Sequence, residues 1–270
     1  MGNNVSSAKR NLQCTIIFDK GEAENRLNQA EKEDMYMEEC MDSPLNAMAR
    51  KELSYRPNRM SVHDYHSAVT YLESATELLP KRLLSDLSEV RIIQLMPTAD
   101  DGMPHTRPGD IICYPDLTQL FSLTTLKHEL WHVHQRKYQD MWLKVFAALG
   151  WKPWSASQAL PEKLEEYRRY NPDTIDHPHW VFRDKWVPIP VFRDITRPKV
   201  SDIEIWFYHV TGKYHTKKVP PELSMYFPHL PAAAYEHPRE ITAYMLAEPD
   251  KHQYSRGFQD LIKLIGHISV

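Results

Sequence analysis

The segment His128-Glu129-Leu130-Trp131-His132 decides how the rest of this sequence is interpreted. On a helix with about 3.6 residues per turn, His128 and His132 lie one turn apart on the same face, so both imidazoles can bind one ion. This is the spacing that a zinc site requires. Glu129 projects beside them, where its carboxylate can accept a proton from a water held at the open position of a catalytic zinc. The segment therefore predicts a Zn²⁺ site with Glu129 as the catalytic base.

The residues around the motif place it within an amphipathic helix. The longest uninterrupted helical pattern of the chain runs from residue 117 to about 138. Its apolar side carries Leu123, Leu126, Leu130 and Val133, which lie opposite the histidines and are expected to pack against the domain. We therefore expect the histidine face to line a cleft.

Short patterns on both sides of this helix predict an α+β fold. A Ser61–Asp64 capping box opens a helix over residues 61–79, and β-branched runs predict strands at 90–96 and 110–114. Farther along the chain we predict a helix at 141–149, strands at 186–192 and 203–210, a possible hairpin strand at 214–219, and helices at 239–247 and 255–265.

The composition divides the chain into an arm and one main domain. Residues 1–58 are polar, with little sustained apolar periodicity, and are predicted to form an N-terminal arm. Residues 59–270 are predicted to form the domain that carries the motif. Within it, residues 154–231 are rich in prolines and aromatics and are predicted to be an irregular, partly β insertion.

Charge and cysteine content exclude several classes of partner. The 33 basic and 36 acidic residues give a net charge of −3, so the chain has no net attraction for nucleic acid. Three widely spaced cysteines favour a cytoplasmic, reducing compartment over a disulfide framework. No run approaches the roughly 20 apolar residues that span a bilayer, so a transmembrane protein is not expected. The composition does not indicate an oligomeric state.

These features resemble the zincin metallopeptidases, whose hallmark is His-Glu-x-x-His on an active-site helix. In that family a strand before the helix pairs with an extended peptide, and the resemblance gives this role to residues 111–114, with His105 and Thr106 in the preceding loop. The metzincin branch would have glycine at Gln135 and histidine at Tyr138, so this branch is excluded. The gluzincin type remains, in which a glutamate on a later helix is the third zinc ligand.

The segment at 237–244 resembles the second gluzincin helix. The resemblance implies that Glu240 is the third ligand and that Ala243 is the small residue that lets the two helices pack closely. More than a hundred residues separate His132 from Glu240, and four other glutamates remain alternatives for the third ligand: Glu162, Glu165, Glu166 and Glu236. The family also uses a tyrosine or histidine to stabilise the oxyanion. Tyr235, His237 and Tyr244 compete for this role, and we name Tyr244 as the candidate.

The resemblance implies a zinc metallopeptidase that hydrolyses peptide or protein substrates. The alternative is a non-catalytic, membrane-associated structural or assembly protein that retains a zincin scaffold. An intact Glu129 favours the enzyme, because zinc can bind without a general base but hydrolysis needs one.

The N-terminus carries the argument for membrane association. Residues Met1-Gly2-Asn3-Asn4-Val5-Ser6 match the N-myristoylation pattern, with Gly2 as the acceptor after Met1 is removed. A polar start that matches by chance is an equally good interpretation. A single myristoyl chain gives only reversible membrane binding, so a second signal would be needed for stable anchoring.

The lipid hypothesis predicts a defined mass shift. Protein made in a eukaryotic host should lack Met1 and carry a C14 acyl group on Gly2, which intact-mass and peptide mass spectrometry would detect. The Gly2→Ala variant, which cannot be acylated, is the matched control. A wild-type protein with an unmodified Gly2 would remove the membrane hypothesis.

Overall fold

Runs of β-branched residues form the centre of a four-stranded sheet. In the computed structural model, which describes residues 12–154 and 160–267, Val90, Ile92 and Ile112 are fully buried in this sheet. Its strands lie in the order β1-β2-β4-β3, with β1, β2 and β4 parallel and β3 antiparallel to β4. Their bounds are β1 Gln13–Ile16, β2 Glu89–Gln94, β3 His105–Arg107 and β4 Ile111–Tyr114.

The strand before the motif helix is internal, not an edge. Strand β4 pairs with β2 through Ile112 and Ile92 and with β3 through Ile112 and Thr106. The expectation that residues 111–114 pair with a peptide is therefore wrong, because both edges of β4 are already taken. The outer strand on this side is β3, which includes His105 and Thr106, so the prediction that these two residues lie in a loop is wrong.

Helices cover the two faces of this sheet and connect it to the rest of the chain. The predicted helix over 61–79 is confirmed as α4, and its N-cap is Ser61, whose side chain accepts a hydrogen bond from the Asp64 amide. The helices are α1 Lys20–Asp34, α2 Tyr36–Asp42, α3 Pro44–Arg50, α4 Val62–Thr76, α5 Lys81–Asp86, α6 Leu123–Lys137, α7 Gln139–Ala148, α8 Glu162–Glu166, α9 Pro221–Tyr226, α10 Pro238–Ala247, α11 Pro249–His252 and α12 Arg256–His267.

The motif helix begins later than its periodicity predicts. Residues Leu117–Phe121 form a 3-10 turn, and α6 starts at Leu123 because the Ser122 side chain caps it by accepting a hydrogen bond from the Thr125 amide. The helix still contains the whole motif.

The described part of the predicted polar arm is folded onto the domain. Strand β1 is an edge of the sheet, and Leu27 of α1 packs with Ile93 in a buried cluster. Arg107 of β3, only 1% exposed, donates to the carboxylates of Glu31 and Asp34 on α1. These contacts join distant segments, which explains why local periodicity does not reveal them. Gly2 lies outside the described residues.

The partly β character of the insertion is confirmed. A second, antiparallel sheet has five strands in chain order: β5 Trp151–Pro153, β6 Trp180–Phe182, β7 Trp186–Phe192, β8 Ile203–His209 and β9 Tyr214–Thr216. The predicted strands at 186–192 and 203–210 correspond to β7 and β8. Within the described parts of the chain, no helix has both the length and the apolar character needed to cross a bilayer.

Helix α10 packs against α6 and thereby positions the site. Ala243 is fully buried, so the absence of a larger side chain lets the two helices approach. Gln135 of α6 joins them, because its amide donates to the Arg239 carbonyl at 3.0 Å and to the Thr242 hydroxyl at 2.9 Å. On the other side of α6, Leu126 and Leu130 pack into the main core with Ile112.

Candidate metal centre

Three side chains from α6 and α10 converge on one point. His128 Nε2 lies 3.3 Å from Glu240 Oε2, and His132 Nε2 lies 3.4 Å from Glu240 Oε1. The two imidazole Nε2 atoms are 3.0 Å apart. One ligand atom from each residue lies within 4.8 Å of the other two, so His128, His132 and Glu240 could hold a metal ion.

Hydrogen bonds hold two of these ligands in place. His132 Nδ1 lies 2.9 Å from Gln135 Oε1, so a proton on Nδ1 leaves Nε2 free to bind a cation. Asn171, from the insertion, donates its amide to Glu240 Oε1 at 3.2 Å and to Glu236 Oε1 at 2.5 Å. The candidate metal-binding face is therefore supported from both the motif helix and the insertion.

The alternative third ligands have other partners or lie elsewhere. Glu236 accepts hydrogen bonds from Arg169 and Asn171 and is absent from the metal-binding cluster. Glu165 pairs with Arg168 and His179. Glu162 and Glu166 are, like Glu165, on α8 and outside the cluster.

The carboxylate of Glu129 lies beside the ligands and is buried. Its Oε2 atom has no hydrogen-bond partner, and the side chain lines the same cavity as His128 and Glu240. Burial raises the pKa of Glu129 well above its usual value, the nearby Asp173 carboxylate raises it further, and the His132 charge opposes both. A buried carboxylate oxygen without a partner is costly, so Glu129 binds a proton more readily than an exposed glutamate does.

Without a cation, the ligands compensate one another electrostatically. Burial alone would lower the pKa of His132, but the carboxylates of Glu240 and Asp173 raise it to about 10. Burial likewise acts to raise the pKa of Glu240, while the imidazoles of His132 and His128 hold it well below its usual value. A metal ion would replace the imidazole proton as the positive charge between these groups.

Of the three oxyanion candidates, only Tyr244 faces the cavity. Its ring centroid lies 4.6 Å from that of His128. The Tyr235 hydroxyl donates to the Phe227 carbonyl at 2.5 Å, and His237 accepts the Arg239 amide on Nδ1 and donates from Nε2 to the His177 carbonyl. Burial raises the pKa of Tyr244, and the carboxylates of Glu240, Glu236 and Glu129 raise it further, so its hydroxyl keeps its proton.

The metal-binding face opens into a cavity of about 300 Å³. Its walls come from α6, α10, the residues before β3 and the insertion. Sequence analysis missed the insertion residues Asn171 and Asp173, because no local pattern distinguishes them from other polar residues of an irregular segment. The residues that line the cavity include Pro104, His105, His128, Glu129, Asn171, Asp173 and Tyr244.

The geometry predicts that Glu240, and not Glu236, binds the metal. Changing Glu240 to Gln removes a ligand charge and should weaken metal binding by about a hundredfold or more. The same substitution at Glu236 changes a residue outside the cluster and should weaken metal binding by a clearly smaller factor. Competition with a chelating dye would measure both affinities, and a larger loss at Glu236 would exclude Glu240 as the ligand.

The family resemblance stays confined to two short segments. Comparison with protein-family models, curated proteins and solved structures finds no match to this chain. The structure adds that the segments 128–132 and 237–244 meet at one cluster of two imidazoles and a carboxylate.

Proposed function

We propose that this protein is a zinc-dependent peptidase in which Glu129 activates the attacking water. The observation that supports it best is the convergence of His128, His132 and Glu240 beside the buried, unpartnered Oε2 of Glu129. A hydrolytic metal site needs both parts, a cluster of ligands and an adjacent base.

The types of ligand support the choice of zinc. Two imidazole nitrogens and one carboxylate oxygen are the ligand set of many catalytic zinc sites, in which a fourth position stays open for water or substrate. Hard cations such as Mg²⁺ and Ca²⁺ prefer sites built from oxygen atoms alone. Cys14, Cys40 and Cys113 are outside the cluster, so a thiolate-rich site is not formed there.

The surrounding residues would bind and orient the reactants. A bound zinc would supply Lewis-acid polarisation of the scissile carbonyl and a lowered pKa for the attacking water. Glu129 would accept the proton of that water on its free Oε2 and later deliver it to the departing amine. Tyr244 would donate its hydroxyl proton in a hydrogen bond to the oxygen on which negative charge develops. Gln135 would keep His132 in the tautomer that binds metal through Nε2.

A peptide is the proposed substrate. The cavity is at the lower end of the size range of small-ligand sites, and it is lined by both polar and apolar groups. The near-neutral charge of the chain gives no reason to expect a polyanionic substrate. The proposed location is the cytoplasm, which suits three cysteines without a disulfide.

Changing Glu129 to Gln should separate binding from catalysis. The amide cannot accept the proton of the water, so peptide hydrolysis should fall by at least about a hundredfold while one zinc per chain is retained. Glu162→Gln, at an exposed residue of α8, is the matched control and should keep both properties. Zinc content by elemental analysis and cleavage of a mixed peptide library would be measured together, and wild-type hydrolysis rates in Glu129→Gln would contradict the mechanism.

A further inference from the structure

The outer edge of β3 runs beside the proposed substrate cavity. Pro104 and His105 line that cavity. In the pairing of β3 with β4, Thr106 lies opposite Ile112. The backbone N–H of Thr106 donates to Asp173, and its carbonyl faces Arg136, so both groups point away from β4. An extended peptide could add to β3 as a further strand only on this edge, and Thr106 there is fully buried.

No backbone donor is free along this edge. The residues two positions before and after Thr106 are Pro104 and Pro108, which have no backbone N–H. The Thr106 N–H is bound to Asp173 Oδ1 at 2.8 Å, and the Thr106 hydroxyl also contacts Oδ1. A peptide carbonyl approaching this edge would find its position occupied by the Asp173 carboxylate.

Asp173 is fixed in this position by the rest of the insertion. The residue is 5% exposed, and its own N–H donates to Asn171 Oδ1 at 3.1 Å. Arg239 donates to the Asp173 carbonyl at 2.8 Å, and Arg136 donates to the Pro172 carbonyl at 2.9 Å. The carboxylate is therefore part of a rigid wall and not a side chain that a substrate would displace at little cost.

We propose that Asp173 is a specificity-determining residue that closes the β3 edge, so that a peptide substrate is held only by the cavity and is not added to the sheet. This inference rests on the proposed peptidase function. Strand addition gives affinity through main-chain hydrogen bonds that extend with the chain. Without them, substrate residues beyond the cavity gain no main-chain hydrogen bonds from β3, so kcat/KM does not increase as the peptide becomes longer.

The dependence of kcat/KM on peptide length tests this proposal. A series of peptides of about three to twelve residues around one cleavable bond would be compared for the zinc-loaded wild type, Asp173→Ala and Asp173→Asn. The amide oxygen of Asn can still accept from Thr106, so Asp173→Asn is the matched control. We expect a flat length dependence for the wild type and Asp173→Asn. For Asp173→Ala we expect kcat/KM to increase with length by at least about threefold, the worth of one hydrogen bond.

Amide hydrogen exchange at Thr106 tests edge closure without any hydrolysis. The Thr106 amide should be protected in the wild type and in Asp173→Asn and should exchange at least about tenfold faster in Asp173→Ala, with neighbouring β4 amides unchanged as a check on folding. A wild-type kcat/KM that rises with peptide length, or a Thr106 amide that exchanges equally fast in the wild type and Asp173→Ala, would overturn the proposal. If the zinc-loaded protein cleaves no peptide of any length, the proposed peptidase function is wrong. The proposed role of Asp173 in the dependence on substrate length is then also wrong. The exchange result then still decides whether Asp173 closes the edge.

Discussion

The packing of α10 against α6 is the constraint on which the candidate site depends. The histidines lie on α6, whereas Glu240 arrives on α10 more than a hundred residues later. A carboxylate side chain is short, so it reaches the imidazoles only if the two helix backbones approach closely. The fully buried Ala243 permits this approach, and the Gln135 amide fixes it through two hydrogen bonds to α10. The same glutamine orients His132, so helix packing and ligand orientation depend on one side chain.

Several carboxylates are buried around this contact, so the site contains negative charge that must be compensated. Glu129, Glu236 and Glu240 are each less than a tenth exposed, and burial of charge is costly unless it is compensated. Arg169 compensates Glu236, and the imidazoles compensate Glu240. Glu129 Oε2 has no such partner. A cation bound by His128, His132 and Glu240 would lower the free energy of this whole group, which links metal binding to the stability of the helix pair.

The sequence predicts the motif helix, the position of both histidines on one face of it, and strands β7 and β8. Each of these depends on a short local pattern. It also points to Glu240, since Pro238 opens a helix and Ala243 follows one turn after the glutamate. It does not predict that β4 is internal or that β3 exists, because pairing of His105–Arg107 depends on a partner strand and on Asp173, 67 residues from Thr106. Asn171 and Asp173 act through contacts with distant residues, and nothing in their local sequence indicates this.

The exposure of the histidine face also differs from the prediction. The sequence predicts that this face lines a cleft, but His132 is only 2% exposed because α10 covers it.

X-ray absorption spectroscopy at the zinc edge of the purified protein tests the central claim most directly, because it reports the types of atom bound to the metal. The account predicts one zinc per chain, bound by two imidazole nitrogens and by carboxylate or water oxygen at about 2.0 to 2.2 Å, with no sulfur neighbour. The imidazole scattering should disappear in a variant in which both His128 and His132 are changed to Ala. A sulfur neighbour at about 2.3 Å, or a bound zinc whose spectrum is unchanged in that variant, would contradict the account.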